Sequence, residues 1–422
     1  MKTKVVLLGC LMTLTCAGSF AKNGDSTALH GPVSTVPADA GLKLPAGFKV
    51  QTVAENLGAA RHIAVTPLGD IYVKIQSPKP GKAIAVIHGG NVKTFGTYRG
   101  TGIVIKGNYL YASSDEEVYR YKLNDKYEII NPEQPEKIVT GLINRHQHES
   151  KSLALDNAGN IYVNIGAYSN SCQTQDRAKG SKGIQGCPIR DSAAGIWQFK
   201  ADKLNQTYGN GVRYASGLRN VVGLDWNNSA QQLFVMQHGR DGLYDMFPEY
   251  YALKDGNELP AECMYALKKG DDAGWPYIYY DGIQHKKMLA PEYGGDGKKT
   301  GGDNAINPVV AFPAHMAPNG LLFYTGNQFP AKYKNGAFIA FHGSWNRQKG
   351  QKGYFVAFVP FKDGKPSGNW EIFADNFAGV GNIQSPGQAQ HRPCGLAQGP
   401  DGALYVTDDV KGTVYKITYT GK

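Results

Sequence analysis

Six times along the chain the same local phrase returns: a short apolar strand, a polar or glycine-containing turn, then a second strand of aliphatic and aromatic residues. The second strands read Gly69-Asp70-Ile71-Tyr72-Val73, Gly107-Asn108-Tyr109-Leu110-Tyr111, Gly159-Asn160-Ile161-Tyr162-Val163, Gln231-Gln232-Leu233-Phe234-Val235, Gly336-Ala337-Phe338-Ile339 and Gly402-Ala403-Leu404-Tyr405-Val406. Upstream of five lie Ile63–Val65, Ile103–Ile105, Leu153–Leu155, Val222–Leu224 and Leu396–Ala397, and the fifth copy has Leu321–Tyr324 across a longer connection. A single four-stranded sheet built from such hairpins cannot bury both faces. Packed radially, six of them can, and they leave a funnel on the axis. The expected fold is therefore all-β: a six-bladed β-propeller with four-stranded antiparallel blades and inserted loops capping one face. Composition agrees, with 53 glycines, 25 tyrosines and only 19% charged residues, a turn-rich and aromatic mixture unlike that of a helical protein.

The ends of the chain carry separate information. Lys2 and Lys4 precede an apolar run from Val5 to Cys16, and Ser19-Phe20-Ala21 has the small-x-small form of a cleavage site. Residues 1–21 read as a signal peptide cut near Ala21, residues 22–41 as an exposed lead-in, and residues 42–422 as the propeller, with a loop-rich insertion at about 240–310. The expected location is periplasmic or secreted, with no membrane span. Phe48–Val53 and Val414–Ile417 are strands at opposite ends of the propeller and are expected to complete one blade between them, which removes an open sheet edge.

Export leaves Cys172, Cys187, Cys263 and Cys394 in an oxidising space. Cys172 and Cys187 flank one polar loop and are expected to pair. A Cys263–Cys394 bridge is the remaining combination, and buried free thiols are the alternative. No Cys-x-x-Cys-His motif occurs, so covalent haem is not expected. The net charge of +10 comes without a dense Lys/Arg run, and nucleic acid is not an expected partner.

The residues just before each inner strand fall at one end of the channel. They are Arg61-His62, Arg99, His148, Arg219-Asn220, Asn319 and His391-Arg392. Five of six blades thus bring a cationic or titratable side chain toward one axial point. The expected ligand is polyanionic, held by guanidiniums that bind carboxylates in a bidentate fork. The alternative for any one arginine is a local acidic partner. His148, at the start of an inner strand, is the candidate general base. His146 and His148 alternate in an extended chain and so face opposite ways.

Several stretches resemble the soluble pyrroloquinoline quinone (PQQ) dependent sugar dehydrogenases: Tyr214 through Leu224, His148 through Gly166, Asp272-Ala273-Gly274-Trp275-Pro276, Phe341 through Arg347, and Arg392-Pro393 through Asp409. Gly343-Ser344-Trp345-Asn346-Arg347 and Gly274-Trp275-Pro276-Tyr277 resemble the sorbosone dehydrogenase branch. The resemblance covers most of residues 42–420. It implies a six-bladed propeller that oxidises a sugar or sugar-derived aldehyde, with His148 taking the hydroxyl proton as hydride passes to PQQ. It implies that Arg219, Asn220 and Arg392 hold the cofactor, that Trp345 and Arg347 complete its wall, and that backbone carbonyls at Gly239 and Arg240 ligate Ca²⁺. Electrons would leave to an external acceptor, a quinone or a cytochrome. Arg240 stands where some members have proline, and Gln390-His391 where a tryptophan often precedes the Arg-Pro pair. The competing reading is a non-redox propeller, either carbohydrate-binding or a Ca²⁺-dependent lactonase-like hydrolase. A peptide-binding scaffold is the third.

Overall fold

The computed structural model describes residues 41–421, apart from 79–80 and 349. The expected signal peptide and nearly all of the lead-in lie outside the described residues. Six sheets follow one another around an axis. Blade 1 is Ala60–Val65, Ile71–Ile75, Ile84–His88 and Asn91–Phe95. Blade 2 is Ile103–Lys106, Tyr109–Ser113, Val118–Lys122 and Glu136–Thr140. Blade 3 is Leu153–Leu155, Asn160–Ile165, Gly195–Lys200 and Val212–Ser216. Blade 4 is Val221–Asn227, Gln232–Gln237, Glu262–Leu267 and Val310–Phe312. Blade 5 is Pro318–Phe323, Ala337–Phe341, Phe355–Val359 and Glu371–Ala374. Blade 6 is Pro393–Gln398, Leu404–Asp408, Val414–Tyr419 and, outermost, Phe48–Ala54.

Every one of the six second strands expected from the repeat is present and pairs antiparallel with its inner strand, with a register shift in blades 1, 4, 5 and 6. The ends close the ring as expected: Phe48–Ala54 pairs antiparallel with Val414–Tyr419, from Phe48 opposite Tyr419 to Ala54 opposite Val414. This removes an edge that would otherwise offer unpaired amides. Blades 2 and 3 each gain a two-residue parallel strand, Gln206–Thr207 and Asp271–Asp272. The stretch read as loop-rich contains a blade strand, because Glu262–Leu267 is the third strand of blade 4 and its excursions lie on either side.

The core sits between blades, where aromatic residues of adjacent sheets interlock. Between blades 5 and 6, Phe48, Phe329, Tyr333, Phe338 and Phe373 meet largely edge-to-face. The inner strands leave an axial cavity of about 260 Å³ lined mainly by Ile, Val, Leu and Ala. Asp225 is a polar latch there, its carboxylate accepting from Phe323 N of the next blade at 2.8 Å. The Cys172–Cys187 disulfide forms as expected. Cys263 and Cys394 do not pair: both are free and buried, one on blade 4 and one on blade 6.

Candidate functional site

An inner strand begins at the face where its antiparallel partner ends. Blades 3, 4 and 5 therefore deliver two sets of residues to one mouth: the turns before their inner strands, and the segments after their second strands. Together they enclose a polar cavity of about 140 Å³.

His148 comes from the segment joining blades 2 and 3. That segment is not extended: His146 and His148 both have positive φ, +58° and +50°. The turn, rather than strand alternation, sends His146 to solvent and His148 inward. A left-handed conformation costs a non-glycine residue about 1–2 kcal/mol and persists only where surroundings impose it. Here they do. His148 Nδ1 lies 2.5 Å from the Ala167 carbonyl, just past the second strand of blade 3. A carbonyl only accepts, so Nδ1 carries the hydrogen and Nε2 keeps its lone pair. Burial, then the Arg219 charge, hold the imidazole well below its usual pKa, so it is neutral. Gly166 makes the close approach possible, since a Cβ there would lie 2.6 Å from His148 Cβ.

Arg219 and Asn220 occupy the tight turn into blade 4. Gly217 turns it at φ +68°, with the Asp272 carboxylate packed where a side chain would go. The Arg219 guanidinium is nearly inaccessible, and three of its five N–H donors are committed within the protein. It donates to Asn170 O at 3.2 Å, Gly239 O at 3.0 Å and Asp241 Oδ2 at 2.7 Å. Arg177, from the disulfide-clipped loop, meets the same carboxylate at 2.9 Å. These two cations hold Asp241 well below the usual carboxylate range against the opposing effect of burial. Asn170 fixes Asp241 through both of its backbone groups, at 2.9 and 3.1 Å. Asn220 Oδ1 is buried without a partner on the cavity wall.

Gly239 and Arg240 follow the second strand of blade 4. Gly239 O already accepts from Arg219 and retains one lone pair; Arg240 O accepts no hydrogen bond among the described residues. The Arg240 side chain turns away to a buried pair with Glu292 at 2.6 Å. Glu262 supports the turn, accepting from Gly239 N, Met316 N and Ala317 N at 2.8–3.1 Å, and burial raises its pKa to about 7.

The structure brings His148, Arg219, Asn220, Gly239 and the rim residue Trp345 together. Trp345 is 57% exposed and does not fill the wall. Arg347 is placed elsewhere. Its guanidinium donates to the carbonyls of Gly350, Asn257 and Ala314 and to Glu258 Oε1 at 2.6 Å, tying its loop to the segment after blade 4's second strand. Arg392 donates to His342 O at 3.0 Å and Gly343 O at 2.6 Å and does not line the cavity. Trp275 is packed core, donating to Asn170 O at 2.9 Å.

The expected ring of unpaired cations is not what forms. Arg61 pairs with Asp409, Arg99 with Asp115 and Glu149, and His391 with Asp408. These side chains find local acidic partners: Asp115, Asp408 and Asp409 come from the ends of second strands, and Glu149 stands beside His148 ahead of the inner strand of blade 3. Arg177, His238 and Asp241 also lie beyond second strands, so the starts of inner strands do not reveal them. The signal was available: residues just after each second strand share the mouth, and His238-Gly239-Arg240-Asp241 is polar there.

Residues 42–279 and 282–420 match the TrAA12-like family. A PQQ-dependent pyranose dehydrogenase of Coprinopsis cinerea is 29% identical over 282 residues; the match covers 56% of this chain and 36% of that much longer protein. The holo PQQ domain of the C. cinerea pyranose dehydrogenase superposes with a TM-score of 0.68 at 22% identity, covering 89% of this chain and 97% of that one. The calcium structure of a Trichoderma reesei family AA12 enzyme gives 0.69 at 18%, covering 90% and 97%. These likenesses agree with the propeller and with the wider group that the motifs resemble, without specifying the sorbosone branch. The chain belongs to the TrAA12-like family.

Proposed function

We propose that this protein is an exported, PQQ-dependent dehydrogenase that oxidises a pyranose or a sugar-derived aldehyde. One observation carries the reading: a neutral imidazole, its tautomer set by a backbone carbonyl, opens onto a cavity lined by Arg177 and Arg219. The residues suit a carboxylated quinone. Two guanidiniums meet at the Asp241 carboxylate, Arg177 also lying 3.8 Å from Asp176, and they set donors beside the cavity that suit an incoming carboxylate. Asn220 Oδ1 lacks a partner, and Arg240 O together with the lone pair that Gly239 O keeps beside its bond from Arg219 could ligate a hard cation such as Ca²⁺. The relatives named for PQQ and calcium support the assignment.

Arg177, Arg219 and Asn220 would hold the cofactor, with Gly239 and Arg240 on the ion. Bound there, PQQ supplies a two-electron acceptor for the hydride leaving the sugar carbon. His148 Nε2 removes the proton of the hydroxyl on that carbon, and Ala167 O stabilises the imidazolium through Nδ1–H. Because the ring is neutral well below pH 6.5, the base is ready without prior deprotonation. Trp345 offers an exposed aromatic face at the rim. Export rests on the Lys2–Ala21 pattern and the Cys172–Cys187 disulfide. Electrons pass to an external quinone or cytochrome.

The test is a titration with PQQ and Ca²⁺, followed by sugar-dependent dye reduction. His148→Ala should bind the cofactor as the wild type does and lose roughly 10²–10⁴-fold in rate. Undiminished turnover in that variant removes His148 from the chemistry, and absence of PQQ binding at micromolar concentration ends the dehydrogenase reading.

A further inference from the structure

A second imidazole looks into the cavity, and the chemistry above leaves it unused. His238 follows directly on Gln232–Gln237 of blade 4 and lines the same wall as His148. Its backbone N–H is tied to Asn220 O at 2.9 Å, which fixes where the ring can go. Its Nε2 lies 3.2 Å from the Pro318 carbonyl of blade 5. That oxygen only accepts, so Nε2 carries the hydrogen and Nδ1 holds a bare lone pair. Nδ1 has no partner among the described residues. The charged and titratable groups that act on the ring are Arg219, Asp241, His342 and His148, and none donates to it.

A confined lone pair calls for a donor on the ligand. The carboxylates and quinone oxygens of PQQ are acceptors and suit the guanidiniums. A sugar carries a donor on nearly every carbon. Building on the dehydrogenase reading, we propose that His238 is a specificity-determining residue whose Nδ1 accepts a hydrogen bond from a second hydroxyl of the sugar, distinct from the one His148 deprotonates. A site made to hydrogen-bond a hydroxyl discriminates strongly against the analogue that lacks it.

The experiment begins with wild-type protein titrated with PQQ and Ca²⁺, monitored by cofactor absorbance. Failure at that step belongs to the dehydrogenase reading and takes this proposal with it. Loaded wild type is then assayed on a pyranose substrate and its singly deoxygenated analogues. One analogue should lose roughly tenfold or more in kcat/KM, as expected for an unpaired buried acceptor. His238→Phe keeps ring volume and removes the lone pair. It should bind PQQ as tightly as wild type, raise KM for the parent sugar, leave the pH profile of kcat in place, and erase the contrast between parent and analogue. His238→Gln retains an amide donor for Pro318 O and an acceptor for the cavity, and should restore the contrast in part. Should the Phe variant melt early, His238→Ala carries the same comparison. Persistence of the contrast without His238 overturns the proposal. A weakened PQQ titration gives Nδ1 to the cofactor's pyrrole N–H, and a displaced pH profile makes His238 the base; either result overturns it too.

Discussion

Replacing Gly166 by alanine isolates the geometry on which the site rests. The added Cβ would stand 2.5 Å from the His148 carbonyl oxygen, 2.6 Å from His148 Cβ and 3.3 Å from Asn220 Oδ1. Ordinary carbon contacts lie at about 3.5–4.0 Å, so His148 must retreat by roughly 1 Å. It has little freedom to do so, being held at φ +50° and by the 2.5 Å bond to Ala167 O. Overpacking of this kind destabilises by about 1–3 kcal/mol. A misplacement of about 1 Å at a reacting group costs on the order of 10²-fold in rate. Gly166→Ala should therefore bind PQQ, melt at a lower temperature, and turn over sugar about a hundredfold more slowly in dye reduction. Full turnover by a folded, loaded variant would refute the reasoning, as would a variant structure in which His148 has not moved.

Two further outcomes follow from other parts of the site and its support. The Cys172–Cys187 bridge spans a sequence separation of 15, and closing a loop of that size contributes about 3 kcal/mol in the chain-entropy account. Replacing both cysteines with serine should lower stability by that order in denaturant unfolding and loosen Asn170, which anchors Asp241 and Arg219; an unchanged midpoint counts against the loop's role. Asp225 is pushed up by burial from 3.8 to about 7. Between those values the folded state holds a proton that the unfolded chain has lost, so this group makes stability fall as pH rises from about 4 to about 7. His62 and His238, lowered to about 4 and about 3, act oppositely, their neutral folded forms costing stability as pH drops below 6.5. Melting curves of Asp225→Asn against wild type across that window should diverge in slope, with the variant gaining relative to wild type toward pH 7; parallel curves would remove the buried-proton argument.

The architecture was legible because it is written in a local code. Each hairpin pairs strands a few residues apart, and period-two alternation with a glycine or asparagine turn marks it without knowledge of anything distant. Even the closure of blade 6 by Phe48–Ala54 follows from an unpaired strand at each end. Within the site, His148, Arg219 and Asn220 could be found for the same reason, since each stands shortly before a recognisable inner strand. Arg392 also stands just before an inner strand yet faces the carbonyls of His342 and Gly343 instead of the cavity.

Partnership was not legible. Arg61 and Asp409 are 348 residues apart in sequence, and Arg177 and Asp241 lie on loops of different blades. Sequence alone determined the blades and which polar residues stand before each inner strand; only the packed ring decided which of them reach the cavity, which acids pair with the rest, which carbonyls set the tautomers of His148 and His238, and which oxygens stay unpaired. The physical reason is reach. Strand pairing in a hairpin is settled by neighbours along the chain, whereas the charge state and direction of a buried side chain depend on every element that meets it in space.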